Sequence, residues 1–160
     1  MGEVVLDWNT LAERLEPHRV RGERIVSTNG VFDVLHVGHA RYLQQARALG
    51  DLLVVGVNSD DCTRRLKGET RPFVPEEERA ELVAALGCVD YVVIFAESTP
   101  EALLAVIKPH IHVKGGDYQV EQMPETAVVL AHGGKVVTVP FVTGRSTTEL
   151  VERILSSPKL

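Results

Sequence analysis

The stretch of the chain richest in chemistry reads Thr28-Asn29-Gly30-Val31-Phe32-Asp33-Val34-Leu35-His36-Val37-Gly38-His39. An apolar run ends at Thr28 and a helical pattern starts at His39, which makes this a strand end, a loop and a helix start. Unpaired backbone N–H groups and the helix dipole favour anions at such a terminus. Gly38 removes a side chain where a phosphate would approach the backbone. His36 and His39 are three apart, so both rings share one face if the turn is helical. Two imidazole donors there would stabilise charge developing on a transferring phosphoryl group. The same pair could instead cap or pack the turn, or form an H-x-x-H zinc site. The strand–loop–helix setting favours phosphate.

Four further segments carry polar groups in suggestive places. Lys67 sits with Arg64, Arg65 and Arg71 in what reads as a loop, a basic cluster in an acidic chain. Such a cluster offers countercharge to phosphates, or is simply a solvated loop. Lys114-Gly115-Gly116-Asp117 follows an apolar run, and its glycines would let backbone approach a base or ribose, with Asp117 nearby; a plain turn is the alternative. Ser146 and Glu149 have the spacing of a capping box at a helix start. Arg79, within Glu-Glu-Glu-Arg, could make an i,i+4 pair on an exposed helix. His18, His110, His112, His132, Cys62 and Cys88 read as structural.

The elements that must position these residues alternate. Arg24–Thr28, Leu52–Val57, Tyr91–Phe95, Ile111–Val113 and Lys135–Pro140 are Val- and Ile-rich runs, which read as strands buried on both faces. Helical stretches are expected at His39–Leu49, ending at Gly50 as its C′ residue, and at Pro75–Leu86, ending at Gly87. Others are expected at Pro100–Ile107 after a Thr99 cap, at about Glu121–His132, and at Thr147–Leu155 after Ser146. The alternation predicts an α/β, Rossmann-like, doubly wound parallel sheet of about five strands with right-handed crossovers. Its ligand crevice is expected at the strand C-termini, near the topological switch. Residues 1–23 read as a helical arm with Leu11 and Leu15 as apolar contacts, joined without a linker to a core spanning 24–160.

Composition bounds the function. The 160 residues include 44% hydrophobic and 24% charged positions, the balance of one soluble domain. A formal charge of −5 argues against nucleic acid or anionic membrane as a partner, since both need clustered cations. The N-terminus lacks an apolar signal segment, and no apolar run approaches the roughly 20 residues of a bilayer span. Two cysteines make no disulfide framework and suit a reducing, cytoplasmic setting. The apolar Val4, Val5, Leu6 and Trp8, together with the sheet edges, need cover, so a homodimer is expected.

The first motif resembles the H-x-G-H signature of the cytidylyltransferase-like nucleotidyltransferase superfamily, in the form G-x-F-D-x-x-H-x-G-H, and the resemblance extends from Arg24 to about Ile154. Gly144-Arg145-Ser146-Thr147-Thr148 resembles that superfamily's S-T-T loop, which implies a triphosphate site. Within it, Arg65–Gly68, Val113–Tyr118 and Pro140–Thr148 are most similar to the D-glycero-D-manno-heptose 1-phosphate adenylyltransferases. Glycerol 3-phosphate cytidylyltransferases usually place an Arg where Phe141 stands.

The resemblance implies AMP transfer from ATP to a sugar 1-phosphate, with pyrophosphate as product. His36, His39, Lys67 and Arg145 would be the catalytic groups. Thr28, Asn29, Gly30, Val31, Phe32, Asp33, Gly38, Lys114, Gly115, Asp117, Ser146, Thr147 and Thr148 would hold the nucleotide, and Lys67, Arg71 and Arg79 the acceptor. Asp33 could alternatively organise its loop or a metal-bound water. Mg²⁺ is expected on the ATP phosphates, with no protein carboxylate cluster to cage it. In this family the transferase is often fused to a sugar kinase; the residues before Arg24 are too few for one, so a separate kinase polypeptide is expected. A CTP-dependent alcohol-phosphate transferase and a non-catalytic nucleotide-binding module are the alternatives.

Overall fold

The computed structural model describes residues 1–116, 119–140 and 146–157. Its elements are β1 (Glu3–Val5), α1 (Trp8–Val20), β2 (Ile25–Gly30), α2 (Val37–Arg47), β3 (Leu52–Asn58), α3 (Asp60–Lys67) and α4 (Glu76–Ala84). They continue as β4 (Tyr91–Phe95), α5 (Glu101–Ile107), β5 (Ile111–Gly115), α6 (Pro124–Ala131), β6 (Lys135–Val139) and α7 (Thr147–Ser156). The strands form one parallel sheet in the order β1-β4-β3-β2-β5-β6.

Each central strand feeds two cores. Leu53, Val55 and Val57 of β3 pack with Leu43 and Ala46 of α2 and with Ala80 and Val83 of α4. Leu52 and Val54 of the same strand pack with Leu11 and Leu15 of α1 and with Leu103 and Ile107 of α5. This two-sided cover explains why β3 reads as an unbroken apolar run. Gly56 breaks the run for space, because a Cβ there would lie 2.9 Å from Leu103 and 3.3 Å from Phe95. No described helix is long and apolar enough to cross a membrane.

The sheet has six strands where five were expected, and the sixth lies in the N-terminal arm. Glu3–Val5 pairs in parallel with Tyr91–Val93, and Gly2 and Glu3 donate backbone bonds to Ala84 and Asp90. Val5 is buried in the α1/α5 core while Val4 packs partly against the other. A three-residue strand shows too little alternation to be recognised by pattern. The arm is therefore a strand followed by a helix.

Other boundaries also move. The basic cluster at Lys67 is the last turn of α3, which was expected to be loop. Ser59 caps this helix by accepting from Cys62 N–H, and acids Asp60 and Asp61 precede the basic residues, complementing the dipole. Gly50 is demanded by close packing and not by a C′ turn: a Cβ would lie 2.6 Å from the Arg24 carbonyl oxygen, and the C-cap of α2 is Ala48. Likewise the C-cap of α4 is Ala85, ahead of Gly87, and Pro100 replaces Thr99 as the N-cap of α5. The weak segment near Glu121 divides into a 3-10 turn, Val120–Gln122, and α6.

From β2 the chain steps outward through β3 to β4, then returns across the sheet to β5 on β2's other side. Strand order reverses between β2 and β5, and their C-terminal ends flank the crevice that such a switch creates.

Candidate active site

A cleft of about 1210 Å³ opens at that point. Its walls include Asn29 and Gly30 from the end of β2, Lys114 and Gly115 from the end of β5, and two helix N-termini, those of α2 and α7.

His36 is the N-cap of α2, and its Nδ1 accepts from Gly38 N–H at 3.1 Å. With Nδ1 accepting, the ring proton sits on Nε2. His39 stacks on His36 with ring centroids 3.9 Å apart, and Phe32 meets it edge-on at 5.4 Å. Burial, then the charges of His36 and Lys67, lowers the His39 pKa to about 4. His39 is thus a neutral imidazole at physiological pH. The cap uses Nδ1 of His36. Among the described residues, no group of three or more His, Cys, Asp or Glu is placed to hold a metal ion.

Asp33, 3% exposed, organises the loop. Its Oδ1 accepts from the backbone N–H groups of Phe73 and Val74 at 2.7 and 3.0 Å, and its Oδ2 from Arg71 Nε at 2.5 Å. Arg71 also lies over the Phe73 ring, 4.5 Å from its centroid, and lines the cleft. Both carboxylate oxygens are committed to protein donors, so Asp33 serves loop structure.

Arg79 departs from both expectations. It is 0% exposed and donates to the carbonyls of Val31 and Val74, and to Asp60 at 2.7 Å. A fully buried guanidinium with every edge engaged by protein holds the loop that carries the histidines; it does not face the cleft. Thr28 also lies beneath the cleft, 1% exposed, where its hydroxyl joins Tyr42 Oη and the Val113 carbonyl. Burial pushes the Tyr42 phenol up to about 12, so it stays protonated as a cleft-lining donor.

Lys67, Val31, Phe32, Gly38, Gly115, Thr147 and Thr148 all line the cleft, as their expected roles require. Ser146 caps α7: its Oγ accepts from Glu149 N–H at 3.1 Å and bonds the Glu149 carboxylate. Asp117 and Arg145 lie outside the described residues. Arg64 pairs with exposed Asp61 and Arg65 with the Ala96 carbonyl, away from the cleft. His18, His110 and His112 are structural: His110 Nδ1 accepts from Ile25 N–H, His112 meets Ser27 Oγ at 2.8 Å, and His18 bonds Glu23 and Tyr91.

Sequence reasoning missed Tyr42, Asn58, Met123, Pro124 and Glu125, which also line the cleft. Glu125 is buried and pairs with Lys114 Nζ at 2.6 Å. The signal available for it was topological: it opens the helix that follows β5, the strand beside the switch.

The family described as "Cytidylyltransferase-like" matches residues 27–153, which makes the chain a nucleotidyltransferase by class. The chain belongs to the cytidylyltransferase-like family. It is 56% identical over 147 residues to the "Bifunctional protein HldE" of Pelobacter propionicus, covering 92% of this chain and 30% of that one. The protein of the same name from Geobacter sulfurreducens is 51% identical over 153 residues, covering 96% and 31%. The chain therefore spans less than a third of these curated relatives' length. The solved lipopolysaccharide core biosynthesis protein from Thermoplasma volcanium is 32% identical with a TM-score of 0.62, covering 76% of this chain and 98% of that one. Pantothenate synthetase from Thermus thermophilus, at 18% identity and a TM-score of 0.58, shares the fold.

Proposed function

We propose that this chain transfers AMP from ATP to a sugar 1-phosphate, with D-glycero-beta-D-manno-heptose 1-phosphate as the acceptor, releasing pyrophosphate. The observation that carries this reading is the stacked His36–His39 pair at the N-terminus of α2, in one cleft with the capped N-terminus of α7. Two helix N-termini lining one cleft suit a chain of phosphates. The name of the Thermoplasma volcanium neighbour and the resemblance of Arg65–Gly68, Val113–Tyr118 and Pro140–Thr148 support the choice of acceptor.

An acceptor phosphate oxygen attacks the α-phosphorus of ATP in line. A new P–O bond forms, the bond from the α-phosphorus to the bridging oxygen breaks, and pyrophosphate leaves. A phosphate monoester is already ionised near neutral pH, so the nucleophile needs no general base. Catalysis is then positioning and charge stabilisation. His36 and His39 donate to the α-phosphate and the bridging oxygen, Lys67 meets developing charge, and Ser146, Thr147 and Arg145 hold the β,γ-phosphates. Lys67 and Arg71 face the acceptor side, with Arg71 oriented by Asp33.

Bound Mg²⁺ would neutralise phosphate charge. The donor set fits a metal carried on the phosphates, since Asp33 and Glu125 are already bonded to protein cations. Cys62 and Cys88 are free thiols, which suits a cytoplasmic enzyme. The deciding experiment measures pyrophosphate release over a matrix of nucleoside triphosphates and sugar 1-phosphates. Turnover should require ATP and a heptose 1-phosphate; higher kcat/KM with CTP and glycerol 3-phosphate would sink the assignment. Binding without turnover on any pair would make the chain a binding module.

A further inference from the structure

The floor of the cleft holds a buried ion pair to which neither cap nor histidine contributes. Glu125, 6% exposed at its side chain, meets Lys114 Nζ at 2.6 Å, and the same ammonium donates to Asn29 Oδ1 at 3.0 Å. The three residues come from β2, β5 and α6, so the cluster sits across the topological switch. All three also line the cleft.

Lysine only donates, so the Asn29 carboxamide must turn its oxygen towards Lys114. Its amino group then becomes the edge left for other partners. The pair's opposite charges cancel, so this spot lacks the net positive potential that recruits phosphate. Buried ion pairs also contribute little net stability after desolvation, which makes a purely structural purpose a poor explanation. What the cluster offers is N–H donors in fixed directions without net charge.

We infer that Glu125 is a positioning residue: it holds Lys114 against Asn29 so that the Asn29 amide reads a neutral acceptor on the nucleoside part of the nucleotide. This rests on the nucleotidyl-transfer reading above and adds a division of labour. The helix termini bind the phosphates, and the Asn29–Lys114–Glu125 cluster binds the nucleoside.

The test is calorimetric titration of wild type, Glu125→Gln and Asn29→Ala with ATP, adenosine and inorganic tripolyphosphate. Glu125→Gln keeps the shape and loses the charge that orders Lys114. Asn29→Ala leaves the ion pair intact and removes the amide, which keeps the idea testable should Glu125→Gln misfold. Both variants should weaken ATP and adenosine about 10-fold, the worth of one good hydrogen bond, and leave tripolyphosphate unchanged. A merely structural role would weaken all three ligands together. Equal loss for tripolyphosphate, or unchanged ATP affinity in either folded variant, overturns the inference. If wild type binds tripolyphosphate but neither ATP nor adenosine, the nucleotide reading itself fails.

Discussion

His36 accepts a backbone proton at Nδ1, and His39 keeps its Nδ1 buried and without a partner among the described residues. On the proposed mechanism Nε2 of each ring is the donor to phosphate. Removing either donor should lower kcat by roughly 10²–10³, the usual scale for one preorganised group. His36 also caps α2, so His36→Ala should cost about 1 kcal/mol of stability as well. Asn is an equally good N-cap, so His36→Asn should melt close to wild type yet lose the same turnover; normal kcat in that variant would refute the catalytic role. A second residue-scale effect is pH. Burial lowers the pKa of His39 to about 4 and of His112 to about 3, against an ordinary value of 6.5. The unfolded chain therefore binds more protons than the folded one between those values and 6.5, so stability falls as pH drops through that window. His112→Asn, which cannot titrate, should show a flatter urea midpoint between pH 6.5 and 4; an unchanged slope would contradict this account.

The N-terminus of α7 tests whether one element serves folding and ligand at once. Ser146 Oγ caps the helix, and the same residue lines the cleft. Ser146→Ala should lose about 1 kcal/mol of stability together with ATP affinity. Ser146→Asp separates the two roles, because Asp caps as well as Ser but sets a negative charge against a triphosphate. Its melting temperature should match wild type while the KM for ATP rises at least 10-fold; an unchanged KM would show that Ser146 only caps. Elements differed in how plainly sequence announced them. β2 to β5 were visible because cover on both faces leaves Val- and Ile-rich runs, β6 because its edge still carries Val136, Val137 and Val139, and the two helix starts were visible because caps are local. α3 was hidden: Asp60–Lys67 carries almost no apolar stripe and depends on its Ser59 cap and charge order. Glu125 was hidden because its partner, Lys114, lies on another element, so no local spacing betrays the pair. Arg79 was misjudged because a Glu-rich helix looks solvated, while its actual partners, Val31, Val74 and Asp60, lie on other segments.

For the whole molecule, a homodimer is expected because the sheet ends in β1 and β6 and Leu6 is exposed, although of the apolar arm Val5 is buried and Val4 and Trp8 already pack within the chain. Light scattering should give twice the 17.6 kDa chain mass at micromolar concentration; a strict monomer would count against it. The buried Asp33 and Arg79 matter at this scale too, because together they tie the segment from Arg71 to Val74 to the loop after β2. An engineer would see a socket. The short segment ahead of this anchor is then expected to tolerate exchange like a cartridge, provided the two anchoring residues stay. Exchanging residues 68–70 alone, which spares Lys67, should leave the histidines in register, and a changed preference among sugar phosphates in a pyrophosphate-release assay checks it.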